Sequence, residues 1–326
     1  MTAAVFPDAA PGAGMYESFY LRAVSPDAPV GVWLRYTVHQ RPGEAPQGSL
    51  WATVFDGTAP PVAHKETTDA LSVPAGGWIQ IAEATFGPDG AQGSCGPISW
   101  SLSVTPRAPM LRHLRHEFLY RAPVPRTKLT SPAPAASFSG TVTVGERTLQ
   151  LDGWSGMVGH NWGAEHAERW IWLHGVDFAE DPTAWIDVAL GRIVVAGRTT
   201  PWVANGAISL NGHVRPLGGL LARGVQVHEQ VGHCALVLPG PDGLRVGATV
   251  SAPRAATVGW RYADPDGGEH DVANCSIAAL TLAIVDPHGT GRSLHTAHGA
   301  AYELGMRERD HGVPLQPFGD GGTPAP

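Results

Sequence analysis

The residues best suited to chemistry are concentrated in one central stretch of the chain, Asp152–Phe178. This stretch holds four of the eleven tryptophans and three of the fifteen histidines. Its aromatic and imidazole residues are Trp154, Trp162, Trp170, Trp172, His160, His166 and His174. Indole rings attract cations through their faces, and imidazole exchanges protons near neutral pH. The stretch therefore predicts either a functional site at a domain junction or the packing seam between two domains.

Strand periodicity places the tryptophans and one acidic residue on defined faces. Alternate residues of a strand share a face, so Trp170 lies beside Trp172, and Trp185 lies beside Asp187. A carboxylate in so apolar a strand is costly unless it is paired or protonated, and burial raises its pKa. Asp187 is therefore a candidate general acid. The alternative is that Asp187 pairs with a nearby arginine such as Arg169 or Arg192 and only supports the structure.

Metal and cofactor sites are not expected. His160, Glu165 and His166 are of metal-ligating types, but nothing fixes their geometry and no cysteine joins them. The sequence has no Walker loop, and no GxGxxG follows a strand and opens a helix. A second interpretation of His160 and Asn161 is that they bond backbone groups at a domain junction, because buried polar groups need partners.

The composition restricts the possible partners and the compartment. A net charge of −7 and a pI near 6.1 argue against a nucleic-acid surface. Three cysteines without a CxxC pair predict a reducing, cytoplasmic environment, and no signal peptide is expected. No apolar run approaches the length of about 18 residues that a membrane-spanning helix needs. Contact with a membrane surface and the oligomeric state are left open.

Short runs rich in Trp, Val, Thr and Ile alternate with turns along the chain, which contains 41 glycines and 29 prolines. This pattern predicts an all-β protein of two consecutive antiparallel β-barrel or sandwich domains. The only helix expected is a short one over Met110–Tyr120. The predicted segments are a flexible N-terminus at 1–15, a first domain at 16–165, a second domain at 166–313 and a loose tail at 314–326.

A faint internal repeat supports the division into two domains. It aligns Phe19 with Ile171, Trp33 with Trp185, and the charged Arg35 with Asp187. A duplicated domain would explain this similarity. Because aromatic-rich hairpins are common, chance similarity is the alternative.

The central motifs resemble those of a known superfamily. NWG at 161–163, followed by RWIWLHGVDF at 169–178, resembles the tocopherol cyclase pattern. GHNWG at 159–163, with Trp185-Ile186-Asp187 some two dozen residues later, resembles the motif of the carotenoid 1,2-hydratase (hydroxyneurosporene synthase) family. The resemblance implies a pair of lipocalin-like β-barrels. The residues that it places in the site are His160, Trp162, Trp185 and Asp187.

The residues and the resemblance together predict a hydratase or a cyclase/isomerase of a hydrophobic polyene, prenyl or polyketide-like molecule. In this hypothesis Asp187 protonates a double bond, and tryptophan faces stabilise the cation by about 0.5–2 kcal/mol each. His160 then positions or deprotonates the water or hydroxyl group that captures the cation. The predicted substrate-binding residues are Asn161, Trp162, Glu165, Trp170, Trp172 and Trp185. The alternatives are a lipocalin-like carrier without chemistry and a pericyclase that only folds its substrate.

Overall fold

The computed structural model describes residues 2–10, 12–195 and 197–318. Nearly all of its regular structure is β-strand, which confirms the all-β prediction. Helical structure in these residues consists of the 3₁₀ turns Phe6–Asp8, Glu117–Tyr120, Pro241–Gly243 and Arg254–Ala256. The helix expected over 110–120 does not form, because Leu111 and Arg112 instead pair with Ser131 and Thr130 of a neighbouring strand.

The first sheet has 12 antiparallel strands, all from the half of the chain before residue 164. Its strands are β1 Met15–Val24, β2 Val30–Gln40, β3 Gln47–Asp56, β4 Ala59–Thr68, β5 Leu71–Ser72, β6 Ile79–Ile81, β7 Ala84–Gly87, β8 Gly90–Cys95, β9 Ile98–Pro106, β10 Leu111–Arg112, β11 Thr127–Val144 and β12 Arg147–Gly163. Their order is β4-β3-β2-β1-β12-β11-β9-β8-β7-β6-β5, with β10 paired to β11. The first and last strands of the segment are therefore neighbours.

The second sheet has 10 antiparallel strands, from residue 169 onward. The strands of this half of the chain are β13 Arg169–Gly175, β14 Trp185–Arg192, β15 Val194–Val195, β16 Arg198–Thr199, β17 Val203–Leu210, β18 His213–Gly218, β19 Gln226–Gln230, β20 His233–Pro239, β21 Arg245–Ser251, β22 Val258–Ala263, β23 Glu269–Val285 and β24 Gly291–Met306. The order is β18-β17-β14-β13-β24-β23-β21-β20-β19, with β22 on β23, while β15 and β16 pair separately.

The two sheets repeat one arrangement. In the first sheet the opening strand β1 lies between β2 and β12, and β12 also pairs with the bulged long strand β11. In the second sheet the opening strand β13 lies between β14 and β24, and β24 also pairs with the bulged long strand β23. Arg22 of β1 and His174 of β13 occupy matching places in this plan. Arg22 pairs with Trp33 of β2, and His174 pairs with Asp187 of β14. The counterpart of Asp187 is therefore Trp33 rather than Arg35, because the connection from β13 to β14 is longer than that from β1 to β2.

Each sheet encloses its own hydrophobic core, and aromatic side chains join the two cores. Trp33 and Trp51 of the first sheet pack with Trp260 of the second, with ring centroids 6.2 and 5.1 Å from it. A separate small cluster at the junction contains Tyr20, Met157, Trp172 and Ala301. The sheets thus meet through a continuous buried surface.

Both ends of the described chain contact the sheets, and the flexible start at 1–15 and the loose tail at 314–326 stay predictions. The backbone amides of Val5 and Phe6 donate to the Glu17 carboxylate at 2.7–2.9 Å. Near the other end, Leu315 forms a bridge with Gly259. Residues 319–326 of the expected tail lie outside the described residues. In the part of the chain that is described, no helix has the length and apolar character needed to cross a membrane.

Candidate functional site

A cavity of about 1340 Å³ lies between the two sheets and is lined mainly by apolar surface. Both sheets contribute side chains to it, and a volume of this size exceeds that of most drug-sized ligand pockets. The aromatic and charged residues of its inner wall are Tyr20, Trp33, Arg35, Trp170, Trp172, Tyr262 and Glu303. The cavity therefore combines an aromatic surface with a small number of buried polar groups.

Strand pairing explains why these residues meet. Tyr20 lies opposite Arg35 across β1 and β2, and Trp172 lies opposite Glu303 across β13 and β24. The rings of Tyr20 and Trp172 contact edge to face, with centroids 5.4 Å apart, so the opening strands of the two sheets touch here. Directly opposed residues of an antiparallel pair share a face of the sheet. The polar and the aromatic residues consequently face the same space.

Glu303 is held by donors from three strands of the second sheet. Its carboxylate accepts hydrogen bonds from Trp170 Nε1 at 3.0 Å, Asn274 Nδ2 at 3.0 Å and the Tyr262 hydroxyl at 3.3 Å. The residue is 8% exposed and lines the cavity. Three fixed donors suit a carboxylate, which only accepts, and they hold it in one orientation at the cavity wall.

Arg35 brings an incompletely bonded cation to the same wall. Its Nε donates to Ser18 Oγ at 2.6 Å, and its guanidinium carbon lies 4.0 Å from the centroid of the Tyr262 ring. The buried Nη1 has no hydrogen-bond partner among the described residues. A buried N–H donor without a partner is costly, so a ligand oxygen that accepted from it would be favoured. Tyr262 contacts both the Arg35 cation and the Glu303 anion.

Tyr20 adds a protonated hydroxyl group to this wall. Burial raises the pKa of Tyr20 well above its usual value, and the negative charges of Asp187 and Glu303 act in the same direction. Tyr20 therefore remains a neutral phenol that can donate or accept a hydrogen bond near the cavity.

Asp187 belongs to a buried network just behind the cavity. Its Oδ2 accepts from Ser131 Oγ at 2.5 Å and lies 3.4 Å from His113 Nε2, while its Oδ1 accepts from Trp172 Nε1 at 3.2 Å. The other ring nitrogen of His113 lies 3.2 Å from the carbonyl oxygen of Asn205. His113 Nε2 also lies 3.2 Å from Ser131 Oγ, so His113, Ser131 and Asp187 form one buried polar network.

The pKa of Asp187 differs from the value that burial alone would give. Burial acts to raise this pKa, but His113, His174 and the Ser131 hydrogen bond more than offset it, so the pKa lies below its ordinary value. We expected a protonated general acid at this position. The structure instead pairs the carboxylate with a histidine, and Arg169 bonds Glu229 and Glu308.

The structure brings only part of the predicted site to the cavity. The predicted residues that line the cavity are Asn161, Glu165, Trp170 and Trp172. Glu165 is ion-paired with Arg126. Asn161 Oδ1 is buried and has no partner among the described residues.

The remaining predicted site residues lie elsewhere. His160 is buried inside the first sheet, stacked on Phe19 at 4.1 Å, and its Nε2 bonds Glu17 Oε1 at 2.7 Å. Burial lowers the pKa of His160, although Glu17 acts to raise it. Trp162 stacks on His160 at 4.6 Å, and Trp185 is packed in the core of the second sheet. His160 thus anchors the N-terminal segment through the Glu17 side chain rather than by bonding backbone groups at a domain junction.

The sequence did not predict six residues of the inner wall and its support as site residues: Tyr20, Trp33, Arg35, His113, Tyr262 and Glu303. A signal existed for two of them, because Arg35 and Glu303 are charged residues inside otherwise apolar strands, as Asp187 is. His113 follows a strand of two residues and Tyr20 lies in an aromatic strand, so neither carried a distinguishing pattern.

The fold and the cavity define a class of protein: an all-β protein of two lipocalin-like sheets that enclose a small-molecule-sized space at their junction. No model of a known protein family matches the chain. An uncharacterized protein of Mycobacterium tuberculosis, found in two strains, is 26% identical over 298 residues, which cover 90% of this chain and 87% of that protein.

Solved structures share this fold over nearly the whole chain. An AttH protein of Nitrosomonas europaea has a TM-score of 0.54 at 12% identity and covers 94% of this chain and 97% of its own. CghA bound to Sch210972 has a TM-score of 0.58 at 12% identity, with 90% and 88% covered. Kievitone hydratase from Nectria haematococca has a TM-score of 0.51 at 11% identity, with 91% and 89% covered. The lipocalin-like architecture that the sequence motifs implied is thereby confirmed.

Proposed function

We propose that the protein is a hydratase or a cyclase/isomerase of a hydrophobic small molecule, and that the cavity between the sheets is its active site. The observation that carries this proposal is the buried Arg35 guanidinium, whose Nη1 has no partner among the described residues, on the same wall as Glu303. An oxygen-binding cation beside a carboxylate in an aromatic cavity suits proton transfer on an apolar substrate.

In this proposal the polar groups divide the chemistry between them. Arg35 Nη1 donates to a carbonyl, carboxylate or hydroxyl oxygen of the substrate and stabilises charge that develops there. Glu303, held by its three donors, takes a proton from the attacking water or substrate hydroxyl group and returns one to the adjacent carbon. Asn161, with an unpartnered amide oxygen at the cavity, accepts from a substrate hydroxyl group.

The aromatic wall selects the body of the substrate. Tyr20, Trp33, Trp170 and Trp172 suit a polyene, prenyl or polyketide-like skeleton, which buries apolar area against them at about 25 cal/mol per Å². Kievitone hydratase, one of the proteins with this fold, is a hydratase by name, in keeping with this class of reaction. Asp187 acts in this scheme through His113 and Trp172, as a positioning residue.

The experiment is a binding and turnover panel of polyene, prenyl and polyketide-type compounds, each as a hydrocarbon, an alcohol and a carboxylic acid. Quenching of tryptophan fluorescence measures binding, and mass spectrometry detects hydrated or isomerised products. Carbonyl or carboxyl compounds should bind about tenfold tighter than their hydrocarbons, the gain expected from one charged hydrogen bond.

The preference should disappear in Arg35→Met and persist in the control Arg245→Met, which changes an exposed residue. Equal binding of hydrocarbons and acids by the wild-type protein would contradict the role of Arg35. Binding of the panel without any product would assign the protein to the alternative class, a carrier of hydrophobic molecules.

A further inference from the structure

A second group of polar side chains lies at the edge of the cavity, outside the reaction centre proposed above. His166 belongs to the connection between β12 and β13, Asp264 follows β22, and His270 lies at the start of β23. Since β22 and β23 pair as a hairpin, Asp264 and His270 are held close together. One ligand atom from each of the three residues lies within 4.8 Å of the other two.

The hydrogen bonding of this group is incomplete. Both the backbone N–H and Nδ1 of His166 bond Asp264 Oδ1 at 2.7 Å, which leaves His166 Nε2 without a partner. Asp264 Oδ2, 3.6 Å from His270 Nδ1, also has no hydrogen bond, and neither ring nitrogen of His270 has one. The side chains of Asp264 and His270 are 1% and 0% exposed.

Four buried polar atoms without hydrogen bonds are costly unless something binds them. The pattern of the missing partners is specific. His166 Nδ1 and Asp264 Oδ1 lie 2.7 Å apart, so an ion bound between them and His270 would take the place of the proton that they share. The 3.6 Å between Asp264 Oδ2 and His270 Nδ1 is close to the separation of two ligands bound at about 2.0–2.2 Å to one tetrahedral ion.

We propose that His166, Asp264 and His270 bind a divalent transition-metal ion of the Zn²⁺ class. Two imidazoles and one carboxylate are a ligand set that Zn²⁺ and neighbouring first-row ions accept, and they leave a further position for water or a ligand oxygen. The ion would fasten the connection between the two sheets to the β22–β23 hairpin, beside the cavity that His166 and Trp170 line.

The charge state of the group agrees with this assignment. Burial lowers the pKa of His270 to about 4, so its ring is neutral at neutral pH. Burial acts to raise the pKa of Asp264, but His166 lowers it below its usual value, so Asp264 is a carboxylate. Metal ions bind histidine and aspartate in these deprotonated forms. The arginines near His270 already have anionic partners: Arg307 bonds Glu168, and Arg309 bonds Glu269 and Asp271.

The test is Co²⁺ binding to the full-length protein after treatment with a chelator, followed by visible absorption spectroscopy and by competition with Zn²⁺. We expect about one Co²⁺ per chain with the d–d absorption of a low-coordinate nitrogen–oxygen site, and displacement of that spectrum by Zn²⁺. Because the assay measures the metal alone, its result is independent of whether the cavity catalyses any reaction.

Three variants locate the ion. His270→Ala and Asp264→Asn should weaken Co²⁺ binding by more than about 100-fold, and His166→Phe, which keeps an aromatic ring beside Tyr16, should do the same. His288→Ala, the same change at an exposed turn, should leave binding unaltered. If the wild-type protein binds no Co²⁺, or if His166→Phe with a native circular dichroism spectrum binds it as tightly as the wild type, the proposal is wrong.

Discussion

Asp187 illustrates how much of a residue's role depends on partners distant in the sequence. Its position inside an apolar strand correctly predicted burial, since it is 0% exposed. Burial alone would favour the protonated acid, but two distant residues stabilise the anion. They are His113, 74 positions earlier in the chain, and Ser131, 56 positions earlier. Nothing in the local pattern around Asp187 identifies these partners, because β10 and β11 bring them in by tertiary pairing. The strand pattern thus located the carboxylate but not its charge.

Replacing Asp187 with Asn should destabilise the fold because it removes the buried carboxylate that accepts from Ser131 and Trp172 and lies beside His113. We expect a loss of about 3–5 kcal/mol in the free energy of unfolding, measured by urea denaturation. The double variant Asp187→Asn/His113→Gln should recover part of this loss, because it removes both members of the buried pair together. If the single variant unfolds like the wild type, the two residues are not an ion pair.

The strands β1 and β13 show how the two sheets are joined. Arg22 Nη1 donates to His174 Nδ1 at 2.9 Å and to the Gly299 carbonyl oxygen at 3.1 Å. Arg22 Nη2 donates to the Ser276 carbonyl oxygen at 2.7 Å. In return, His174 Nε2 bonds the Pro134 carbonyl oxygen of the first sheet at 2.9 Å. Each opening strand thereby contacts the bulged long strand of the opposite sheet.

Removal of the Arg22 side chain should therefore weaken the junction more than it weakens either sheet alone. Arg22→Leu removes the donor to His174 Nδ1 and to the Ser276 carbonyl oxygen and one of the two bonds to the Gly299 carbonyl oxygen. We therefore expect the unfolding free energy to fall by at least about 2 kcal/mol. The control Arg245→Leu, on an exposed part of β21, should change it by less than about 0.5 kcal/mol. Equal effects of the two substitutions in urea denaturation would show that Arg22 does not hold the sheets together.

The sequence predicted which segments form strands better than it predicted how neighbouring strands align. Alternation of apolar and polar residues predicted most of the long strands, and the similarity of the β1–β2 and β13–β14 segments matches the repeated strand order. The alignment of Arg35 with Asp187 was wrong, because a different connection length shifts β14 relative to β2. A pattern that repeats every two residues identifies a face but does not fix a shift along the strand.

For the whole molecule, the buried histidine at the junction makes stability depend on pH. Burial, together with the nearby Arg22 cation, lowers the pKa of His174 to about 4, against about 6.5 when the chain is unfolded. Below pH 6.5 the unfolded chain binds a proton that the folded protein excludes, so stability is full above this pH and falls as the pH drops towards 4.

The contribution of His174 to this loss should be about 3 kcal/mol between pH 6.5 and pH 4, from the size of the pKa difference. His174→Gln keeps an acceptor for Arg22 and a donor for Pro134 but cannot titrate in this range. The unfolding free energy of this variant, measured against pH, should fall less steeply than that of the wild type. Parallel curves for the two proteins would rule out His174 as the titrating group.

The position of the candidate site is a property of the whole molecule. The central motif GHNWG predicted that chemistry lies near residues 159–163, and Asn161 does line the cavity. His160, next to it, points into the first sheet because successive residues of a strand face opposite sides. Arg35 and Glu303 come from strands near opposite ends of the chain, so only the closure of both sheets brings them to one wall.

The most direct test of the central claim compares kcat/KM for two variants on a substrate found in the panel. We expect Glu303→Gln to lower kcat/KM by at least about 100-fold, the usual contribution of a general acid–base group. His160→Asn, which alters the Glu17 contact inside the first sheet, should lower thermal stability and leave kcat/KM of the folded protein within about threefold of the wild type. Full activity of Glu303→Gln together with loss of activity in folded His160→Asn would contradict the account and return the active site to the GHNWG motif.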